Sequence, residues 1–200
     1  MTRLLLARHG ETEWNLTYRF QGGSDIPLNE TGLVQAAALA QRLSTEKIDA
    51  IYSSDLQRAQ QTAAAIQAYH SVPVQTDSRL REAYFGDWEG LTWEQIRQQS
   101  PDLMQAWLAD QVNVAPPNGE SLATVMARVA ACVEELRPKQ PEGTVLLVAH
   151  GGTFQVLMCH LLGLVTIARW QFRFYNASFS ELQLFPEGAV LIRHNDTCHL

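Results

Sequence analysis

The chain has 200 residues, 46% of them hydrophobic, and a formal charge of −6. That length suits one well-buried core and is short for two. The acidic balance excludes a general affinity for DNA or RNA, which needs a basic face, but a few arginines gathered in one cleft barely move the total.

The first expected element is a strand over 3–8, where Leu4-Leu5-Leu6-Ala7 reads as a buried run ending in a turn at Arg8-His9-Gly10. An arginine and a histidine thus share the carboxyl end of a strand, which is where open α/β sheets bind ligands. A polar loop leads to a helix opening at Thr31-Gly32, with an apolar face of Leu33, Ala36, Ala37, Ala40 and Leu43. A short strand near Ala50-Ile51-Tyr52 comes next. Ser54 with Gln57 three residues on fits a capping box, so a helix is expected from there to about residue 69. A strand over 72–76 precedes an irregular stretch, 79–90. Helical segments follow around 92–99 and 101–109, with Trp88, Trp93 and Trp107 close by. A proline-rich break at 115–119 leads into a helix over 121–137 whose stripe is Leu122, Val125, Val129, Cys132, Val133 and Leu136. The strand 144–149 then runs into His150-Gly151-Gly152, repeating the setting of His9, and feeds a helix over about 153–162. Strands near 178–185 and 189–193 read as a hairpin through Pro186-Glu187-Gly188.

This alternation implies an α/β fold: a mostly parallel central sheet flanked by helices on both faces, with one antiparallel edge from the final hairpin. One domain is expected over 1–200, with 84–120 as a helical insertion above the carboxyl edge of the sheet. Cys132, Cys159 and Cys198 are odd in number and form no CxxC pair, which fits a reduced, cytoplasmic protein. The opening is too short for a signal peptide and no run reaches transmembrane length, so no membrane partner is expected. Nothing in the sequence decides oligomeric state, and a homodimer through a sheet edge or the insertion stays open.

Four elements carry chemistry together: Arg8-His9-Gly10, Arg58 early in the second helix, Glu82 in the irregular stretch, and His150-Gly151. A cation in a helix's first turn opposes the helix dipole, so Arg58 hints at an anion bound nearby. Phosphoryl transfer needs a nucleophile, cationic donors around the equatorial oxygens and a proton donor for the leaving oxygen. His9 and His150 offer one nucleophile and one further donor, because a neutral imidazole can attack phosphorus to give a phosphohistidine. Arg8 and Arg58 offer planar forks matched to phosphate. Glu82 can protonate the leaving alcohol and then deprotonate the attacking water.

The run Leu6-Ala7-Arg8-His9-Gly10-Glu11-Thr12-Glu13-Trp14-Asn15 resembles the signature of the histidine phosphatase superfamily, the phosphoglycerate mutase-like proteins. The resemblance continues through Asp25-Ile26-Pro27-Leu28-Asn29-Glu30-Thr31-Gly32, the run from Ser53 to Ala63 around Arg58, the run from Leu80 to Gly90 around Glu82, Asn118-Gly119-Glu120-Ser121 and Val148-Ala149-His150-Gly151-Gly152. It implies His9 as the phosphorylated nucleophile, Arg8, Arg58 and His150 as the rest of the phosphate pocket, and Glu82 as the proton donor. It also places Asn15 as a further phosphate contact and Gln21-Gly22 in the loop that closes over substrate. Backbone N–H groups near Gly151 are expected to add donors at a helix start. The resemblance implies no metal and no cofactor, and a small-molecule phosphomonoester as the partner.

Within that family the segment between Glu82 and Asn118 is short, with Arg97 its only basic residue, which speaks against a mutase. The run Phe85-Gly86-Asp87-Trp88-Glu89-Gly90 resembles the phosphatase branch of α-ribazole, broad-specificity and metal-independent phosphoserine phosphatases. Phosphoglycerate mutase is the first alternative, and a catalytically silent phosphoester- or protein-binding module the second. Trp88, Trp93, Trp107, Tyr84 and Phe85 either rim the pocket or anchor the insertion. For a substrate carboxylate the visible partners are Arg81, Arg97 and the tail 195–200, which is expected to fold toward the pocket mouth. His160 reads as a core histidine, His194 as a surface one, and His70 as a helix-terminal cation.

Overall fold

Strands β1 (Thr2–Arg8), β2 (Ala50–Ser53), β3 (Val74–Thr76), β4 (Thr144–Ala149), β5 (Phe179–Phe185) and β6 (Gly188–Asp196) form one sheet in the computed structural model, which describes residues 1–200. Their order is β3-β2-β4-β1-β5-β6. The first four run parallel, and β5 and β6 add the antiparallel edge. Because successive side chains on a strand alternate faces, Leu4 and Leu6 of β1 join Val145 and Leu147 of β4 in the larger core. Leu5, Ala7, Leu146 and Val148 go to the other face and fill the second core.

Helices cover both faces. On the larger core lie α6 (Leu122–Leu136) and α7 (Gly151–Leu161); on the other lie α2 (Glu30–Leu43) and α3 (Gln57–Gln67). The stripe expected on α6 is buried at every position, and Ser121 caps it by accepting from the Thr124 amide. Full burial of each such side chain is worth roughly 1.5–3 kcal/mol against leaving it in water.

Two helix expectations need correction. In α2 the buried face is Gly32, Ala36, Leu39, Ala40 and Leu43, whereas Leu33 is 51% exposed and Ala37 also faces solvent. Gly32 turns inward because its Cα lies against the loop after β1: a Cβ there would stand 2.0 Å from the Glu11 carbonyl oxygen. The capping box expected at Ser54 does not form. Leu56 occupies the cap position without a side-chain bond, and the Gln57 amide is taken instead by Asp25 Oδ1 at 2.7 Å.

The short helices α1 (Glu13–Leu16), α4 (Trp93–Gln99) and α5 (Pro101–Ala109) complete the set. Segment 84–120 holds α4 and α5 around a small core of its own, in which Trp88, Ile96, Met104 and Trp107 are buried together. Trp88 and Trp107 meet edge to face, with ring centroids 5.4 Å apart. Trp88 and Trp107 anchor the segment instead of rimming a pocket, whereas Phe85 packs against this core and also lines the cleft described below. No helix is long and apolar enough to cross a membrane.

Candidate active site

Parallel pairing of β1 with β4 sets Arg8 opposite Ala149, so the next residues, His9 and His150, emerge side by side at the carboxyl edge. Their ring centroids are 5.1 Å apart. The turn that holds His9 is pinned from several directions. Its amide donates to the Ala149 carbonyl at 3.1 Å, and its carbonyl accepts from the Ala177 amide at 3.0 Å.

His9 is almost wholly buried, and its Nδ1–H donates to the Gly10 carbonyl at 2.7 Å. A carbonyl can only accept, so this bond fixes the tautomer and leaves the Nε2 lone pair for the cleft. Burial, then the charges of Arg58 and Arg8, hold the imidazole well below its ordinary pKa. His9 is therefore neutral, as a nucleophile must be.

His150 is buried and neutral for the same reasons, burial first and then Arg58. Both of its nitrogens are engaged within the protein. Nδ1 accepts from Arg58 Nε at 3.2 Å, so Nε2 carries the proton and donates to Ser54 Oγ at 2.9 Å. In this arrangement His150 orients Arg58 and has no proton left over for a ligand.

Arg58 is fully buried in the first turn of α3. Besides His150, it donates to the Ser24 carbonyl at 2.7 Å and the Gly22 carbonyl at 2.8 Å, tying the loop 21–24 to the helix. Burial pushes its pKa down to about 10. Arg8 donates from Nη1 to the Phe174 carbonyl, its buried Nε has no partner, and burial lowers its pKa as well. Eight arginines in the chain pair with carboxylates; Arg8, Arg19, Arg58, Arg169 and Arg173 do not. Arg8, Arg19 and Arg58 all line one cleft of about 300 Å³, with His9, Asn15, Tyr18, Phe20, Gln21, Gly22, Glu82 and Phe85. Three guanidinium groups with no carboxylate in ion-pair contact, facing the single carboxylate of Glu82, favour an anion there.

Glu82 reaches this cleft from the opposite wall. Its carboxylate accepts from the Gly152 and Thr153 amides, both at 3.0 Å, at the N-terminus of α7. The Ala83 amide adds a bond at 2.9 Å. Gly152, more than Gly151, is the glycine this contact requires: a Cβ on Gly152 would lie 2.6 Å from Glu82 Oε1. Asn15 Oδ1 accepts from the Thr12 amide and from Asn176 Nδ2, each at 3.1 Å, which turns its own amide N–H groups toward the cleft. Gly22 has a positive φ of 53° and packs against Glu89, whose carboxylate accepts from the amides of Gly23, Ser24 and Phe85 and so builds the cleft wall.

Arg8, His9, Asn15, Gln21, Gly22, Arg58 and Glu82 therefore meet in one cleft, while His150 stands behind Arg58 and Gly151 beside Arg8. Sequence reasoning missed Arg19, Ser54, Asn176 and Glu89. The carboxylate partners it proposed lie elsewhere, with Arg81 on Asp55 at 2.7 Å and Arg97 on Glu94 at 2.8 Å. The tail contributes nothing to the cleft lining; His199 docks behind it, on the Ala177 carbonyl at 2.9 Å. His160 is exposed instead of core, and His194 is half-buried between Phe172 and Phe174 instead of on the surface. No three His, Cys, Asp or Glu side chains cluster so as to hold a metal ion.

Residues 4–197 match the family model described as histidine phosphatase superfamily (branch 1). The chain is 38% identical over 200 residues to phosphoserine phosphatase 1 of Hydrogenobacter thermophilus, covering 100% of this chain and 95% of that protein. It is 32% identical over 189 residues to the adenosylcobalamin/alpha-ribazole phosphatase of Escherichia coli, covering 94% and 93%. Among solved structures, a mycobacterial glucosyl-3-phosphoglycerate phosphatase in complex with VO3 superposes with a TM-score of 0.89 at 38% identity, over 98% of this chain and 99% of that one.

Proposed function

The chain belongs to the histidine phosphatase superfamily and is a phosphomonoesterase, and we propose that it works by double displacement through His9. Nε2 of His9 attacks phosphorus, the P–O bond to the leaving alcohol breaks, and Glu82 delivers its proton to the departing oxygen. The ionised Glu82 then takes a proton from water, whose oxygen attacks the phosphohistidine and returns His9 and inorganic phosphate. Arg8, the two N–H groups of Arg58 not used on the Ser24 and Gly22 carbonyls or on His150, and the amide groups of Asn15 and Gln21 stabilise the equatorial oxygens. The observation that carries this reading is the gathering of three unpaired arginines around a neutral imidazole with a free Nε2.

Arg19 points to the leaving group. It stands at the cleft with one Nη1 bond, to the Gly90 carbonyl at 2.6 Å, and no carboxylate. We assign it to a carboxylate on the leaving alcohol, which favours compact esters such as phosphoserine over neutral ones. Three unpaired cysteines support a cytoplasmic location, where thiols stay reduced. Exposed Val190 and Ile192 on the edge strand β6 support the reading of a homodimer through that edge.

The test is phosphate release, in excess chelator, from phosphoserine, α-ribazole phosphate and p-nitrophenyl phosphate. Release that vanishes in His9→Ala is expected, and release that survives it removes His9 as nucleophile. Arg19→Met is expected to lower kcat/KM for phosphoserine relative to p-nitrophenyl phosphate by about tenfold or more, the worth of one charge-assisted hydrogen bond; an unchanged ratio refutes the Arg19 assignment.

A further inference from the structure

Glu82 sits in an irregular stretch with no helix or ladder to hold it. Its side chain is fixed by α7, but its backbone is fixed by something else. Arg128, on α6, places every N–H of its guanidinium. Nη1 donates to the carbonyls of Arg79 and Arg81, both at 2.7 Å, and Nη2 to the carbonyl of Glu82 at 3.0 Å. The remaining two N–H groups, on Nε and Nη2, go to the Glu120 carboxylate, both at 3.0 Å.

Glu120 belongs to the motif Asn118-Gly119-Glu120-Ser121, which the double displacement does not use. It closes the same circuit. Its Oε2 accepts from the Tyr84 amide at 3.0 Å, and its own amide donates to the Tyr84 carbonyl at 2.7 Å. Gly119 allows the approach, since a Cβ there would stand 2.5 Å from the Tyr84 oxygen. The two sides of Glu82 are thus clamped at residues 79, 81 and 84 by one ion pair. A guanidinium whose five donors are all taken has none for substrate, although Arg128 and Glu120 line a second cleft that reaches Glu82 from outside.

We infer that Arg128 and Glu120 are positioning residues for proton transfer by Glu82, setting where its carboxyl stands relative to the leaving oxygen. The inference rests on Glu82 as the acid. A lysine cannot replace the fork, because three donors on a point cannot reach three carbonyls and a carboxylate in one plane.

A positioning role and a merely structural one separate by leaving group. p-Nitrophenolate departs without a proton, whereas an alkoxide does not, and kcat/KM reports only steps through departure of the leaving group. We would compare kcat/KM on p-nitrophenyl phosphate and on glycerol phosphate for Arg128→Lys and Glu120→Gln, with Glu82→Gln as reference and thermal melts for each. Both clamp variants are expected to lose about 10- to 100-fold on the alkyl ester and less than about 3-fold on the aryl ester, a fraction of the 10²–10⁴-fold a general acid supplies. Equal losses on both esters, or none, overturn the inference. Glu120→Gln keeps the Arg128 bonds to the three carbonyls, so it decides the matter if Arg128→Lys does not fold. Should Glu82→Gln itself show no split, the acid assignment fails, and the positioning inference falls with it.

Discussion

Replacing Gly152 with alanine tests whether the placement of Glu82, apart from stability, sets the rate. The added Cβ would lie 2.6 Å from Glu82 Oε1, 3.2 Å from its Cδ and 3.3 Å from its Oε2. These are the far atoms of a side chain, so the carboxylate moves and the backbone stays. Restoring ordinary contact takes a shift of about 0.8 Å, close to the 1 Å misplacement that costs of order 10²-fold in an organised site. Alanine also suits the second position of α7 better than glycine, by up to about 1 kcal/mol. The expected outcome is a midpoint of unfolding unchanged or raised by about 2–4 °C, with kcat/KM on an alkyl phosphate lowered by about 10- to 100-fold, or roughly 1.4–2.7 kcal/mol. Steady-state phosphate release and a thermal melt on the same preparation decide it. A variant as active as the wild type refutes the reasoning, and one whose activity falls only in step with its stability refutes it too.

Arg58→Lys leaves the Gly22 and Ser24 carbonyls and His150 Nδ1 without their common donor. We expect a loss of about 2–4 kcal/mol in denaturant unfolding and at least about 100-fold in kcat/KM; a stable, active lysine variant would contradict the role given to the fork. Stability should also fall in acid because of His9. Its folded pKa lies well below the ordinary 6.5, burial first and the neighbouring arginines next, so below that value the unfolded chain binds a proton that the folded chain does not. The sign is therefore a stabilisation present above the ordinary histidine range and lost as the pH drops. Against His9→Asn, the wild type should lose about 1 kcal/mol more between about pH 6 and pH 5; parallel pH–stability curves for the two proteins would show that His9 is not held neutral.

Much of this site could be read from the chain because strand ends are local features. Arg8-His9-Gly10 and His150-Gly151 each follow an apolar run of strand length, and a parallel sheet brings such ends to one edge. What stayed hidden acts across long sequence separations or through backbone atoms. Asn176 reaches the His9 and Gly10 carbonyls from the approach to β5, and no local pattern marks it. Ser54 looked like a helix cap because a serine three residues before glutamine usually is one, yet its hydroxyl is committed to His150. Leu33 counted as core by periodicity, but periodicity does not see that Gly32 must touch the loop after β1. Arg19 and Arg128 resemble solvated surface arginines in sequence, and only their partners, an absent carboxylate for one and three carbonyls for the other, set them apart.

The most direct test of the account is to quench a brief reaction with substrate in alkali, where a phosphohistidine survives, and to locate the phosphoryl group by peptide mass spectrometry. The account predicts one phosphoryl group, on His9, that forms and decays at rates matching turnover and is missing in His9→Ala. A phosphoryl group on His150 or any other residue, or steady turnover with no phosphoenzyme at all, would contradict it.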